Sequence, residues 1–198
     1  MKSNILIIGS GYEQIDLIKK AKQLNFIVIS SDINPNAPGK IYSDKFFVYS
    51  TDDKLNNYKI AKKYKVKTVL TSCSELALKT AAYINNRLKL KGFQIDQVSI
   101  ATNKLLMKNF FRKNKISTSD FISTDKLSEV KNFIDKTKFP IVLKPEESSG
   151  QKGVYLLNNT KSIKTKFLSA IEFSDSKRVM LEKFVKGKEI NLIGAVIN

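Results

Sequence analysis

Apolar and polar positions along this chain follow two rhythms, and the change between them divides it. In the first half, short apolar runs alternate with stretches of helical spacing. "NILII" (4–8) reads as a first strand, closed by Gly9-Ser10-Gly11. In "YEQIDLIKKAKQLN" (12–25) apolar residues stand at Ile15, Ile18, Ala21 and Leu24, the spacing of one helix face. "FIVISSD" (26–32) reads as a second strand, "NPNAPG" (34–39) as a turn-rich loop and "KFFVYS" (45–50) as a third strand. A helix is expected over 55–66, a strand over 67–73 and a helix over 75–88. Strands that alternate with helices and are apolar on both faces make a parallel sheet covered on both sides. Residues 1–95 are therefore expected to form a small α/β domain.

The rhythm then changes. Helices are expected over 102–116, with Thr102 or Asn103 as N-cap, and over 124–138, with Thr124 or Asp125 available as cap. A strand over 139–144 follows, then a loop, a strand over 154–157, a helix over 161–172 and strands over 178–184 and 189–198. Strands now neighbour one another, so residues 96–198 are expected to be an α+β lobe with an antiparallel sheet. "INLIGAVIN" runs apolar to the last residue without a cap or polar tail. That ending suggests the N-terminal piece of a longer protein.

Composition narrows the chemistry. A length of 198 residues allows one or two domains. The apolar fraction is 42%, and no run approaches the roughly 18 apolar residues of a membrane-spanning helix. The apolar start ends in Gly-Ser-Gly rather than a cleavage site, so it reads as a strand and not a signal peptide. Cys73 is the single cysteine, which rules out an internal disulfide and fits a reducing, cytoplasmic setting. Histidine is absent, so histidine bases, His-activated nucleophiles and His-ligated zinc are excluded within these residues. The net charge of +17 raises the question of nucleic acid. Nearly all of it is lysine scattered along the chain, with Arg87, Arg112 and Arg178 the only arginines. Arginine is the usual reader of bases and bidentate phosphate, so a solvated lysine surface is favoured over a nucleic-acid interface.

Three constellations carry possible chemistry. Gly9-Ser10-Gly11 follows the first strand and Asp32 ends the second, which suggests a dinucleotide fold. The third glycine of that fingerprint is replaced by Gln14, and a plain tight turn explains the residues equally well. The second constellation is "FPIVLKPEESSGQKGV" (139–154). Here a strand delivers Lys144 to a loop of small residues, and Lys104 is available on an earlier helix. Small residues let backbone N–H groups approach phosphate, although a plain hairpin tip reads the same way. The third is "VMLEKFVKGKEINL" (179–192), in which Glu182 ends a strand and Glu189 opens the next. It is either a charged hairpin or an adenine and ribose site.

The order is more specific than any one piece. Lys104 in "TNKLLMK", then "FPIVLKP", a Ser/Gly loop and "LEKFVKGKE" together resemble the ATP-grasp superfamily, in particular its carbamoyl-phosphate-synthase-like and biotin-carboxylase-like branches. The resemblance runs from end to end. It implies a Rossmann-like pre-ATP-grasp domain over 1–95, including "DINPNAP" (32–38), and the first part of an ATP-grasp domain over 96–198. That first domain usually binds no dinucleotide, which accounts for Gln14.

The resemblance also implies roles. Lys104 and Lys144 would contact ATP phosphates. Ser148, Ser149, Gly150, Gln151, Lys152 and Gly153 would form the loop that closes over them. Glu182, Lys183, Phe184 and Val185 would lie along adenine, with main-chain contacts at Glu182 and Val185. Glu189 would bind the ribose hydroxyls, and Val142 and Leu181 are candidates for the apolar wall. Glu75, in the "TSCSE" loop, is the candidate for the acceptor pocket. The implied cofactors are ATP and Mg2+, with the metal ligands expected beyond residue 198. The implied partners are a small carboxylate (or bicarbonate) and an amine acceptor, and a homodimer is compatible. The expected activity is that of an ATP-dependent carboxylate–amine ligase, the 198 residues being inactive alone. A non-catalytic nucleotide-binding module is the alternative.

Overall fold

The computed structural model describes residues 2–148 and 150–190. The chain divides into two compact units, Met1–Thr102 and Asn103–Asn198.

The first unit holds a parallel sheet of β1 (Asn4–Ile8), β2 (Ile27–Asp32), β3 (Lys45–Val48) and β4 (Val69–Leu70), in the order β3-β2-β1-β4. Strand side chains alternate, so the continuous run in β1 needs cover on both faces. Leu6 and Ile8 pack with Ile60, Ala61, Ala77 and Ala81 of α2 (Lys54–Lys63) and α3 (Glu75–Arg87). Ile5 and Ile7 pack with Ile18 and Ala21 of α1 (Ile15–Gln23). Residues 12–14, expected as the first helical turn, form a short 3-10 segment ahead of α1. The strand expected over 67–73 shortens to two residues. It lies at the sheet edge, where the buried Asn85 amide pairs with both Val69 backbone groups, at 2.9 and 3.0 Å. A helix absent from the expectation, α4 (Ile95–Thr102), packs on α3.

The second unit is built on an antiparallel sheet of β5 (Phe121–Thr124), β6 (Ile141–Pro145), β7 (Tyr155–Leu157) and β8 (Val179–Lys183), in the order β5-β8-β6-β7. Its helices are α5 (Lys104–Lys113), α6 (Leu127–Thr137) and α7 (Ile163–Glu172). One sheet face, carrying Ile141, Leu143, Val179 and Leu181, packs against Val130, Phe133 and Ile134 of α6 and Ile163, Phe167 and Ala170 of α7. Asn103 caps α5 by accepting from Leu106 N at 2.8 Å.

Two expectations need correction here. Strand β5 was not foreseen, and α6 starts at Leu127 rather than 124. Thr124 ends β5; its hydroxyl accepts from Lys126 N at 3.0 Å and donates to Glu129 Oε2 at 2.6 Å. It thus closes the strand-to-helix turn from outside the helix. The other correction concerns β8, after which a further strand was expected to open at Glu189, a charged hairpin being one of two readings of the stretch. β8 lies between β5 and β6, and residues 184–190 are irregular. Residues 191–198 lie outside the described residues.

Candidate nucleotide site

The second sheet has a face turned away from α6 and α7. Directly opposed residues of an antiparallel ladder share a face. Phe121 lies opposite Glu182, Glu182 opposite Val142, and both Ser123 and Lys144 opposite Met180. Phe121, Ser123, Val142, Lys144, Met180 and Glu182 are therefore one surface.

Glu182 is its centre. Its side chain is 12% exposed, yet three polar side chains converge on the carboxylate. Lys108 Nζ, from α5, lies 2.9 Å from Oε2. The Ser119 hydroxyl donates to the same oxygen at 3.2 Å. Lys144 Nζ lies 2.5 Å from Oε1 as an ion pair. Lys144 and Lys108 thus each pair with one oxygen of the carboxylate, through charge and hydrogen bonding together. Burial by itself would raise the Glu182 pKa. The ammonium groups of Lys144 and Lys108 outweigh it and hold the carboxyl below the usual glutamate range. Arg112 covers the Phe121 ring, its guanidinium carbon 4.2 Å from the ring centre.

A second polar knot lies at the ends of β5 and β6. Asn103 Nδ2 donates to Glu147 Oε1 at 2.7 Å and to Glu146 Oε1 at 3.3 Å. The Ser123 hydroxyl donates to buried Glu146, and Arg178 donates to Ser123 Oγ and its carbonyl at 3.1 and 2.7 Å. This knot anchors the start of the loop. Lys104 Nζ donates to Ser148 O at 2.9 Å, which joins α5 to the loop directly. At the loop's other end Gly153 is buried with φ +70°, and a Cβ there would stand 2.9 Å from Pro145 Cγ. Gly150 shares that φ but faces open space.

The structure thus brings Lys104 to the loop and Lys144 to Glu182. Gln151 and Lys152 are exposed, and Ser149 lies outside the described residues. Phe184 and Val185 follow β8, with Val185 70% exposed, and Glu189 is exposed. The Lys183 side chain turns away and donates to Thr137 O and Lys138 O at 2.8 and 3.1 Å, closing the end of α6. Leu181 belongs to the helix-covered core, and Met180 takes its place beside Glu182. Alternation would have found that: if Glu182 faces the site, Met180 does and Leu181 cannot. Lys108 was also missed, although it stands one helical turn beyond Lys104.

In the first unit, the glycine turn is internally satisfied. Gly9 N donates to Ser31 O at 2.8 Å, Ser10 N to Asp32 Oδ2 at 2.8 Å and Gly11 N to Gln14 Oε1 at 3.0 Å. The other Asp32 oxygen accepts from Asn34 N at 2.9 Å, and Gln14 Nε2 donates to Ser72 O at 2.6 Å. The donors that would hold pyrophosphate and the acid that would hold ribose are engaged within the fold. Glu75 opens α3 and pairs with Lys79 at 3.5 Å. It lines a pocket of about 390 Å³ with Thr71, Ser72, Cys73 and Phe93.

Comparison with known proteins places the chain among its relatives. Residues 102–198 match the family described as phosphoribosylglycinamide synthetase, ATP-grasp (A) domain. A formate-dependent phosphoribosylglycinamide formyltransferase of Prochlorococcus marinus is 27% identical, covering 93% of this chain and 48% of that protein. A phosphoribosylamine–glycine ligase of Fusobacterium nucleatum is 24% identical, over 96% of this chain and 46% of that protein. Among solved structures, the biotin carboxylase domain dimer of Hydrogenobacter thermophilus 2-oxoglutarate carboxylase, in complex with MgADP, ADP and bicarbonate, superposes with a TM-score of 0.81. That match is 15% identical and covers 94% of this chain and 45% of the other. The chain spans about half the length of the curated relatives it matches.

Proposed function

The chain belongs to the ATP-grasp superfamily, and from that premise we propose that its second unit binds ATP for a ligase reaction. In the reaction, a carboxylate (or bicarbonate) oxygen attacks the γ-phosphorus of ATP, and an acyl-phosphate forms as ADP leaves. The amine acceptor then attacks the acyl carbon and expels phosphate. The observation that carries this reading is the sheet face on which Lys144 and largely covered Glu182 stand together, beside a loop tied to Lys104.

The residues suit those roles. Val142, backed by fully buried Met180, offers an apolar floor for a base, and Glu182 offers a carboxylate oxygen to its amino group. Val185 and Phe184 continue along the same edge, and Glu189 addresses the ribose hydroxyls. Lys144 and Lys104 supply fixed positive charge to phosphates, with Ser148 to Gly153 closing over them. Fixed ammonium groups suit this, because phosphoryl transfer asks mainly for positioning and charge neutralisation. No group of three His, Cys, Asp or Glu side chains converges among the described residues.

The names of the relatives, a formate-dependent formyltransferase and a glycine ligase, support a small carboxylate and an amine as substrates. The Glu75 pocket is our candidate for the acceptor. A homodimer is part of the proposal, supported by the dimer named in the structural match. No described helix is long and apolar enough to cross a membrane, and we place the protein in the cytoplasm. Calorimetry with ATP and NAD tests the nucleotide assignment. Binding of ATP that Asp32→Ala leaves unchanged is expected. Binding of NAD that depends on Asp32, with none of ATP, overturns it.

A further inference from the structure

We propose that Lys108 is a positioning residue: a buried counter-charge that holds Glu182 ionised and aimed, so that Lys144 can leave the carboxylate for a phosphate. This rests on the nucleotide reading above and adds a residue and a division of labour to it.

The two lysines that meet Glu182 are held differently. Lys108 is nearly buried, its side chain 8% exposed. Its ammonium has three protons, and three acceptors surround it: Glu182 Oε2 at 2.9 Å, Thr118 Oγ1 at 2.7 Å and Ser119 Oγ at 2.7 Å. Every donor is used inside the protein, so Lys108 has none to offer a ligand. Ser119 also donates to Oε2, which pins that oxygen twice. Lys144 is more open, at 19%, and sits beside the loop. It meets Oε1 at 2.5 Å, while Lys108 and Ser119 hold the other oxygen.

The consequence follows from the energetics of buried charge. Removing the only partner of a buried carboxylate is strongly unfavourable. If Lys144 alone neutralised Glu182, each approach of Lys144 to a phosphate would strand that acid. Lys108 removes the conflict, since its bond to Oε2 does not depend on where Lys144 points. Oε1 is then the oxygen turned toward a ligand. A role confined to fastening residues 118–119 onto α5 would use the same hydroxyl contacts. It would leave the balance between phosphate and base binding untouched.

Among the described residues, the charged groups that face Glu182 are Lys108 from α5 and Lys144 from β6; β5 presents the uncharged Phe121. The test is a carbon-13 NMR titration of the Glu182 carboxylate, paired with calorimetry of ATP and adenosine on the same chain. Lys144→Met should leave Glu182 titrating below the ordinary glutamate range, because Lys108 suffices. The double change Lys108→Met with Lys144→Met should carry it above that range. In Lys108→Met the remaining lysine stays with Glu182, so the ratio of ATP to adenosine affinity should fall roughly tenfold or more. Lys108→Arg should restore most of the ratio. A Glu182 that rises above the ordinary range in Lys144→Met alone overturns the proposal. So does an equal loss of ATP and adenosine affinity in Lys108→Met. If the wild-type chain binds no ATP, the nucleotide reading falls, and the titration of Lys144→Met still decides the role of Lys108. That single variant keeps the test open should the double variant fail to fold.

Discussion

Lys144 and Glu182 meet across the second sheet without being opposite one another. Glu182 is in register with Val142 and Lys144 with Met180, so the 2.5 Å contact runs along a diagonal of the ladder. A long side chain spans such a diagonal easily. The Lys144 side chain is also the more exposed of the two lysines at Glu182, 19% against 8%.

That exposure predicts how nucleotide binding responds. Lys144→Ala and Lys104→Ala each remove a charge-assisted contact worth about 1.5–3 kcal/mol. ATP affinity should fall roughly ten- to hundredfold in each, and adenosine affinity much less. Calorimetry of both ligands checks it; equal losses for the two would place the lysines at the nucleoside.

The ionised state of Glu182 predicts a pH dependence. Its folded-state pKa lies below the ordinary value, so it contributes stability that is complete above about pH 4.3, the unfolded value. That contribution is lost as the pH falls through the lower folded value. Urea unfolding between pH 7 and pH 3 should show the decline. Glu182→Gln should show a smaller one, because glutamine does not titrate.

The two glycines of the loop should respond differently to alanine. Both have φ +70°, so each substitution carries about 1–2 kcal/mol of backbone strain. Gly153→Ala adds a clash with Pro145 and Phe173, another 1–3 kcal/mol or so. Thermal unfolding should rank Gly153→Ala well below Gly150→Ala.

Gln14 should prove structural. It is buried and ties the glycine turn to Ser72. Gln14→Ala should destabilise the first unit by about 1–3 kcal/mol, by leaving Gly11 N and Ser72 O without their partner. ATP affinity at the second unit should stay unchanged, and Gln14→Gly should create no affinity for NAD.

Much of the architecture was legible because it depends on local rules. The run Ile5 to Ile8 leaves no polar face, so it demanded helices on both sides and received them. Asn103 precedes its helix and accepts from the third residue on, as a capping residue does. Lys104, Lys144 and Glu182 were legible in their order. The strand Phe121–Thr124 was not, because four residues of mixed polarity carry too short a pattern to stand out. Its identity depends on pairing with β8, nearly sixty residues later in the chain. Helix α4 escaped for a related reason: a single residue, Val98, is fully buried along it.

By itself, then, the sequence determined the period of each long element, the cap at Asn103 and the presence of lysines and an acid in a fixed order. These are properties of neighbours a few positions apart, where sterics and side-chain spacing decide. The tertiary structure alone decided which oxygens meet which ammonium groups. Residues 108, 119, 144 and 182 converge from α5, the segment before β5, β6 and β8. No local spacing encodes that convergence, because burying Glu182 is tolerable only where cations from distant parts of the chain reach it at once.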